Sequence, residues 1–171
     1  MVNRESTAKP FVISRVFNAP RELVWKAWTD VEHLKKWFGP AGTFMPVSKM
    51  DLLPGGTFHY CQRGPDGKDM WGKWVLREVQ PPERLVLVQC FSDEKGGAVR
   101  HPMAPTWPLE TLSTTTFSES NGKTTMTIQW EPYHANEEEK KTFDGAHDGM
   151  NMGWGGTLDK LDAYLAEVQK H

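Results

Sequence analysis

The last quarter of the chain carries its most constraining pattern. Phe143, His147, Met150, Trp154, Leu158, Leu161, Leu165 and Val168 follow one another at spacings of four and three. At about 100° per residue these positions fall within roughly an 80° arc, so one narrow stripe runs the length of a long helix. Asn136 stands where its side chain can cap that helix, and Glu137, Glu138 and Glu139 set negative charge at the positive end of its dipole. A stripe this regular has to be laid on a broad apolar surface, which the rest of the chain must build.

The preceding residues supply strands. FVISRVF at 11–17 mixes β-branched and aromatic residues and predicts a first strand. NAPRELVWKAWTD opens on a helix-start signal, with Leu23, Val24, Ala27 and Trp28 at helical spacing. Thr29 followed by Glu32 has the form of a capping box and predicts a second short helix, running to Phe38 and stopped by Gly39-Pro40. Trp37 and Phe38 end that helix as neighbours pointing about 100° apart, so they require apolar surface on two sides.

TFMPVSKMDL, GGTFHYCQR, KDMWGKWVLREV, RLVLVQCF, LETLSTTTFSE and KTTMTIQWEPY then follow as strands, separated mostly by tight-turn chemistry such as GPDG and SNG. They predict an antiparallel meander. Met126, Ile128 and Trp130 share one face, whereas RLVLVQCF is apolar on both and its inward side stays open. The stretch 92–108 is irregular and ends in His101, Pro102, Met103, Pro105, Trp107 and Pro108. It is either a lid or a strap over the core edge. Gly145, Gly149, Gly153, Gly155 and Gly156 interrupt the long helix, all but Gly155 on the face away from the stripe. Two readings stand: a kink or break, or close backbone approach by another element or by a second copy in a homodimer.

The composition narrows the function. The chain has 171 residues, 20 basic and 22 acidic, a formal net charge of −2 and no basic stripe. Nucleic-acid binding, which draws on clustered Lys and Arg, is excluded as an expectation. No segment approaches the roughly 20 apolar residues of a membrane span, and MVNRESTAKPFVISRVF lacks the apolar run of a secretory signal. A cytoplasmic location is expected, with Cys61 and Cys90 as free thiols. The six histidines form no HxH or HExxH pattern, so no metal and no cofactor is expected. No carboxylate pair, phosphate loop or triad supports a named reaction. His147, on the apolar stripe, is either a hydrogen-bonded core residue or a polar anchor inside a cavity. His59 and Cys61 share a strand face, but at nearly 7 Å along the backbone they make a poor nucleophile pair.

Four segments in their order and spacing carry a resemblance: FNAPRELVWKAWTDVEHLKKWFGP, PGGTFHY with PDGKDMWGKWVLREVQPPERLV, TTTFSESNGKTTMTIQW, and GWGGTLDKLDAYLAE. They resemble the SRPBCC (START-like, birch-pollen-allergen-like) superfamily, in the Aha-like group named for the activator of a heat-shock chaperone's ATPase. The resemblance implies an α+β helix-grip fold. A curved antiparallel sheet of six to seven strands would wrap the long C-terminal helix, with two short helices after the first strand. Residues 1–10 would form a tail and 11–171 one domain. The cavity between sheet and helix would be lined by Trp37, Phe38, Phe58, Tyr60, Trp71, Trp74 and His101, and by Trp107, Phe117, Trp130, Phe143, His147, Met150 and Trp154. The implied function is non-enzymatic binding of a small hydrophobic molecule. The alternatives are a protein-interaction module with a chaperone partner, or a cyclase- or hydrolase-type enzyme in the same cavity.

Overall fold

Inward-facing apolar residues alternate with outward polar ones along most strands, and the sheet they build holds the C-terminal helix on its inner face. The structure is a computed structural model that describes residues 9–39, 42–101 and 104–170. Pro40, Pro102, Met103 and residues 1–8 of the expected tail lie outside the described residues.

Strand β1 (Phe11–Phe17) leads into α1 (Arg21–Thr29) and α2 (Val31–Leu34). Strands β2 (Phe44–Met50), β3 (Thr57–Arg63), β4 (Asp69–Gln80), β5 (Arg84–Ser92), β6 (Ala98–Val99), β7 (Glu110–Ser120) and β8 (Lys123–Tyr133) follow, then α3 (Glu137–Asp144) and α4 (His147–Val168). The sheet runs β1-β8-β7-β5-β4-β3-β2, antiparallel throughout, with β6 added beside the end of β5. It is curved and unclosed, and the expected α+β architecture is present. A register shift between Leu76 and Glu78 bends β4 against β5. The β7–β8 hairpin turns through Asn121 and Gly122, both at positive φ, as a tight two-residue turn requires.

Leu85 and Leu87 of β5 face the helices, paired with Thr115 and Ser113, while Val86 and Val88 are buried on the opposite side. This strand is covered on both faces, which is why its periodicity was mute. Met126 and Ile128 of β8 are fully buried on the inner face, as their alternation predicts.

Two boundaries differ from the sequence expectation, and the C-terminal stripe takes one of the two readings that its glycines left open. The cap of α2 is Asp30, whose carboxylate accepts from the Glu32 N–H at 2.9 Å. Thr29 belongs to α1, where its hydroxyl donates to the Trp25 carbonyl at 2.8 Å and is no longer free to cap. Regular α2 ends at Leu34, and single turns carry the chain on to Phe38. The C-terminal stripe spans two helices: the Gly145 N–H still reaches the Lys141 carbonyl, Ala146 closes a tighter turn on Phe143, and α4 restarts at His147. The stripe survives the break, since Phe143 and Leu158 are both fully buried. Asn136 caps α3 in a complete capping box with Glu139.

Candidate functional site

Helix α4 sits on the sheet unevenly. Thr157, Leu158, Leu161 and Leu165 in its second half are buried, whereas Met150 and Trp154 are half-buried and Met152 is 78% exposed. The first half stands off the sheet, and three adjoining hollows lie there. The first, about 270 Å³, is walled by Phe38, Gly39, Tyr60, Gln62, Trp130, Met150, Gly153, Trp154 and Thr157. The second and innermost, about 60 Å³, is walled by Trp28, Phe38, Trp74, Leu87, Gln89, Ser113, Trp130 and Trp154. The third, about 310 Å³, lies between Gln89, Phe91, His101, Ala104, Trp107, Trp130, Ala146, Gly149 and Met150. Trp130 belongs to all three walls, and Trp154 is shared by the first two. Their rings meet edge to face at 5.6 Å and act as the partition.

The paired aromatics of the α2 region diverge at 90° to each other. Trp37 is fully buried under α1, its Nε1 donating to the Ala27 carbonyl at 3.0 Å. Phe38 turns into the hollow and meets Tyr60 and Trp74 edge-on at 5.6 Å. The expected two apolar surfaces are thus the α1 layer for one ring and the cavity for the other.

Of the residues anticipated from the sequence, Phe38, Tyr60, Trp74, His101, Trp107, Trp130, Met150 and Trp154 line these hollows. Phe58 lies beneath them, stacked on Tyr60 at 4.8 Å, and Phe117 packs among Trp25 and Trp28. Trp71 pairs with Cys61 on the outer face of the sheet and stacks on His59 at 5.1 Å. His147 lies between Phe11 and Phe143, its Nε2 3.0 Å from the Lys9 carbonyl, where it ties the start of α4 to the start of β1. Phe143 is fully buried against Trp107.

Tyr60 reaches the first hollow because Gly72, its partner on β4, has no side chain. A Cβ at Gly72 would lie 2.4 Å from the phenol oxygen. Burial pushes the Tyr60 phenol well above its ordinary pKa, and Cys90 adds to this, so the group is a neutral hydroxyl. Gln62, Gln89, Ser113 and Thr157 supply further polarity. Ser113 accepts the Trp130 indole N–H at 3.1 Å. Lys160 on α4 donates to the Gly39 carbonyl at 2.8 Å, and burial lowers its pKa.

The loop after β6 walls the third hollow through His101, Ala104 and Trp107. It is fastened to α3: Arg100 pairs with Glu139, the Thr142 hydroxyl donates to that of Thr106 at 2.8 Å, and Trp107 lies on Phe143. Burial alone would raise the Glu139 pKa, but the Asn136 N–H and the Arg100 guanidinium outweigh it and hold the carboxyl below its ordinary range. Of the two sequence readings of this segment, these contacts fit the strap, and the strap also walls a hollow.

Sequence reasoning missed Trp28, Gln62, Gln89, Ser113 and Thr157, as well as Gly149 and Gly153. The glycines look outward on a helical wheel centred on the stripe, yet each walls a hollow. Pairing arithmetic could have found Gln89 and Ser113, because both lie in register on the inner face once β5 is oriented. Among the described residues no group of three or more His, Cys, Asp or Glu could hold a metal ion. No helix among them is long and apolar enough to cross a membrane. A larger concavity, about 820 Å³, is elsewhere, an open groove between α1, the start of α2 and the end of β2.

A family model described as Activator of Hsp90 ATPase homolog 1-like protein matches residues 18–166. Among solved structures, protein Ms6760 from Mycobacterium smegmatis is 27% identical, with a TM-score of 0.71 over 90% of this chain and 88% of that one. A protein from Arthrobacter aurescens is also 27% identical, with a TM-score of 0.76 over 98% and 91%. The AHSA1 protein from Silicibacter pomeroyi, 19% identical, shares the fold with a TM-score of 0.69 over 95% and 100%. No curated protein matches the sequence.

Proposed function

This chain belongs to the family of Activator of Hsp90 ATPase homolog 1-like proteins, and on that premise we propose that it binds a small hydrophobic molecule between the sheet and the first half of α4. The observation that carries this reading is the set of adjoining hollows partitioned by Trp130 and Trp154. Together they fall within the roughly 300–1,000 Å³ of ordinary ligand sites, with mostly aromatic walls and a few polar groups. Two glycines of α4, Gly149 and Gly153, wall these hollows and support it. A Cβ added at Gly149, Gly153, Gly155 or Gly156 would meet nothing within 4 Å, so none of them is there to let another part of the chain approach. Each costs the helix about 1 kcal/mol relative to Ala, a cost that packing alone does not explain.

The test is a fluorescence titration with N-phenyl-1-naphthylamine, a neutral probe that brightens in apolar surroundings. A saturable rise at one probe per chain is expected, weakened severalfold by Trp154→Ala or Met150→Ala and unchanged by Leu53→Ala at an exposed site. A linear, unsaturable signal would remove the reading.

A second reading, a module that docks on a chaperone as the family's description implies, has one observation in its favour. The large outer groove is walled by Leu23, Trp25, Val31, Met50 and Leu52, with Glu22, Lys26 and Asp30 beside them. A purified chaperone ATPase whose rate is unmoved by saturating protein would sink it.

A further inference from the structure

One residue that walls the innermost hollow carries an unanswered donor. Two side-chain polar atoms sealed from solvent lack a hydrogen-bond partner among the described residues, Trp28 Nε1 and Ser92 Oγ. Ser92 ends β5 and walls none of the three hollows. Trp28 is 2% exposed and walls the 60 Å³ hollow together with Gln89 and Ser113. Its ring is fixed there, near-parallel to Trp154 at 5.8 Å and to Trp74 at 6.4 Å, and edge-on to Trp37 at 5.1 Å. The other two indoles in this layer with assigned partners are satisfied, Trp37 by the Ala27 carbonyl and Trp130 by Ser113. A buried N–H without an acceptor is costly, and the fold tolerates this one in a ring that walls a hollow.

The walls also decide what kind of acceptor fits. No Asp, Glu, Lys or Arg is among the described residues that wall the three hollows. A carboxylate or phosphate pushed to the inner end would lose its hydration and find no cation. A ketone, ester or ether oxygen demands only a donor, which Trp28 offers.

We propose that the ligand lays a flat apolar ring system against the partition formed by Trp154 and Trp130 and places an uncharged acceptor oxygen against the Trp28 indole N–H. This rests on the binding reading above and names the chemistry of its inner end. A ligand oxygen would answer this donor, and a hydrocarbon would leave it unpaired.

Fluorene and 9-fluorenone have the same three-ring skeleton and differ by one carbonyl. Titrated against the intact chain by calorimetry, fluorenone is expected to bind about tenfold more tightly, as one neutral hydrogen bond to an otherwise unpaired buried donor allows. Trp28→Phe keeps a ring in place and removes the N–H. It should reduce the preference to less than about twofold while fluorene affinity changes little. Should Trp28→Phe not fold, the wild-type indole resonance assigned to Trp28 through its neighbours Trp37 and Phe117 gives the second reading. Fluorenone should move it downfield and fluorene should not.

Equal binding of the two probes, or a preference that survives Trp28→Phe, overturns the assignment while leaving hydrophobic binding intact. Binding of neither probe overturns both.

Discussion

Gly72 is the residue on which the shape of the first hollow turns. Tyr60 lies across it, stacked on Phe58 at 4.8 Å and met edge-on by Phe38 at 5.6 Å. A methyl at Gly72 would sit 2.4 Å from the phenol carbon and oxygen, so the ring has to yield, and the first hollow is the open space beside it. Gly72→Ala is therefore expected to lower stability by about 1–3 kcal/mol in urea unfolding and to weaken N-phenyl-1-naphthylamine binding as Tyr60 swings into its site. Unchanged binding with the stability loss intact would show that Tyr60 moves elsewhere. The need for a small residue here was invisible in the sequence, because only the β3–β4 register places Gly72 under Tyr60. His147 shows the same limit from the other side. Its place on the stripe was legible, but the Lys9 carbonyl that it meets is 138 residues away in the chain.

At the scale of elements, the loop after β6 and helix α3 behave as one unit. Arg100, Thr106 and Trp107 each have a partner on α3, so the wall of the third hollow is held by the cap of a neighbouring helix. The Glu139 side chain is 7% exposed and that of Arg100 49%, so the solvent-facing partner screens the pair. Arg100→Ala is expected to cost about 1–2 kcal/mol, mainly by leaving a buried carboxylate short of a donor. The pH dependence has a definite sign. A carboxyl held below its unfolded pKa contributes stability in full above that unfolded value and loses it as pH falls through the folded value. The Tm difference between wild type and Arg100→Ala should thus shrink as the solution is acidified below the ordinary carboxylate range. A difference that stays constant would take Glu139 out of the account. The Asn136 cap was readable because the capping pattern is local. The break at Gly145 was one of the two readings left open, since a glycine permits a break without requiring one.

Across the whole molecule, turns, strand alternation and one narrow stripe were enough to mark a meander and a long helix, whereas the wrapping of the sheet round that helix came from the family resemblance and the β1–β8 pairing was not legible. The partition of the cavity was illegible, because it depends on how Trp28, Phe38, Trp74, Trp130 and Trp154 stack once brought together. The wheel also hid that α4 presents different arcs in its two halves, leucines in the second and glycines beside Met150 and Trp154 in the first. That division yields a test of the fold as a binding device. Gly153 walls the first hollow and Gly156 walls none of the three, yet an added Cβ meets nothing at either. Alanine at each should stabilise the helix by about 0.5–1 kcal/mol, read as a shift in the urea midpoint. Only Gly153→Ala should weaken N-phenyl-1-naphthylamine binding, because its methyl stands beside the space the probe fills. Gain of stability with loss of binding at Gly153, and gain alone at Gly156, would mean that α4 gives up helix stability to keep its first half open. Equal behaviour at both positions would break that link, leaving the glycines as a property of the helix alone.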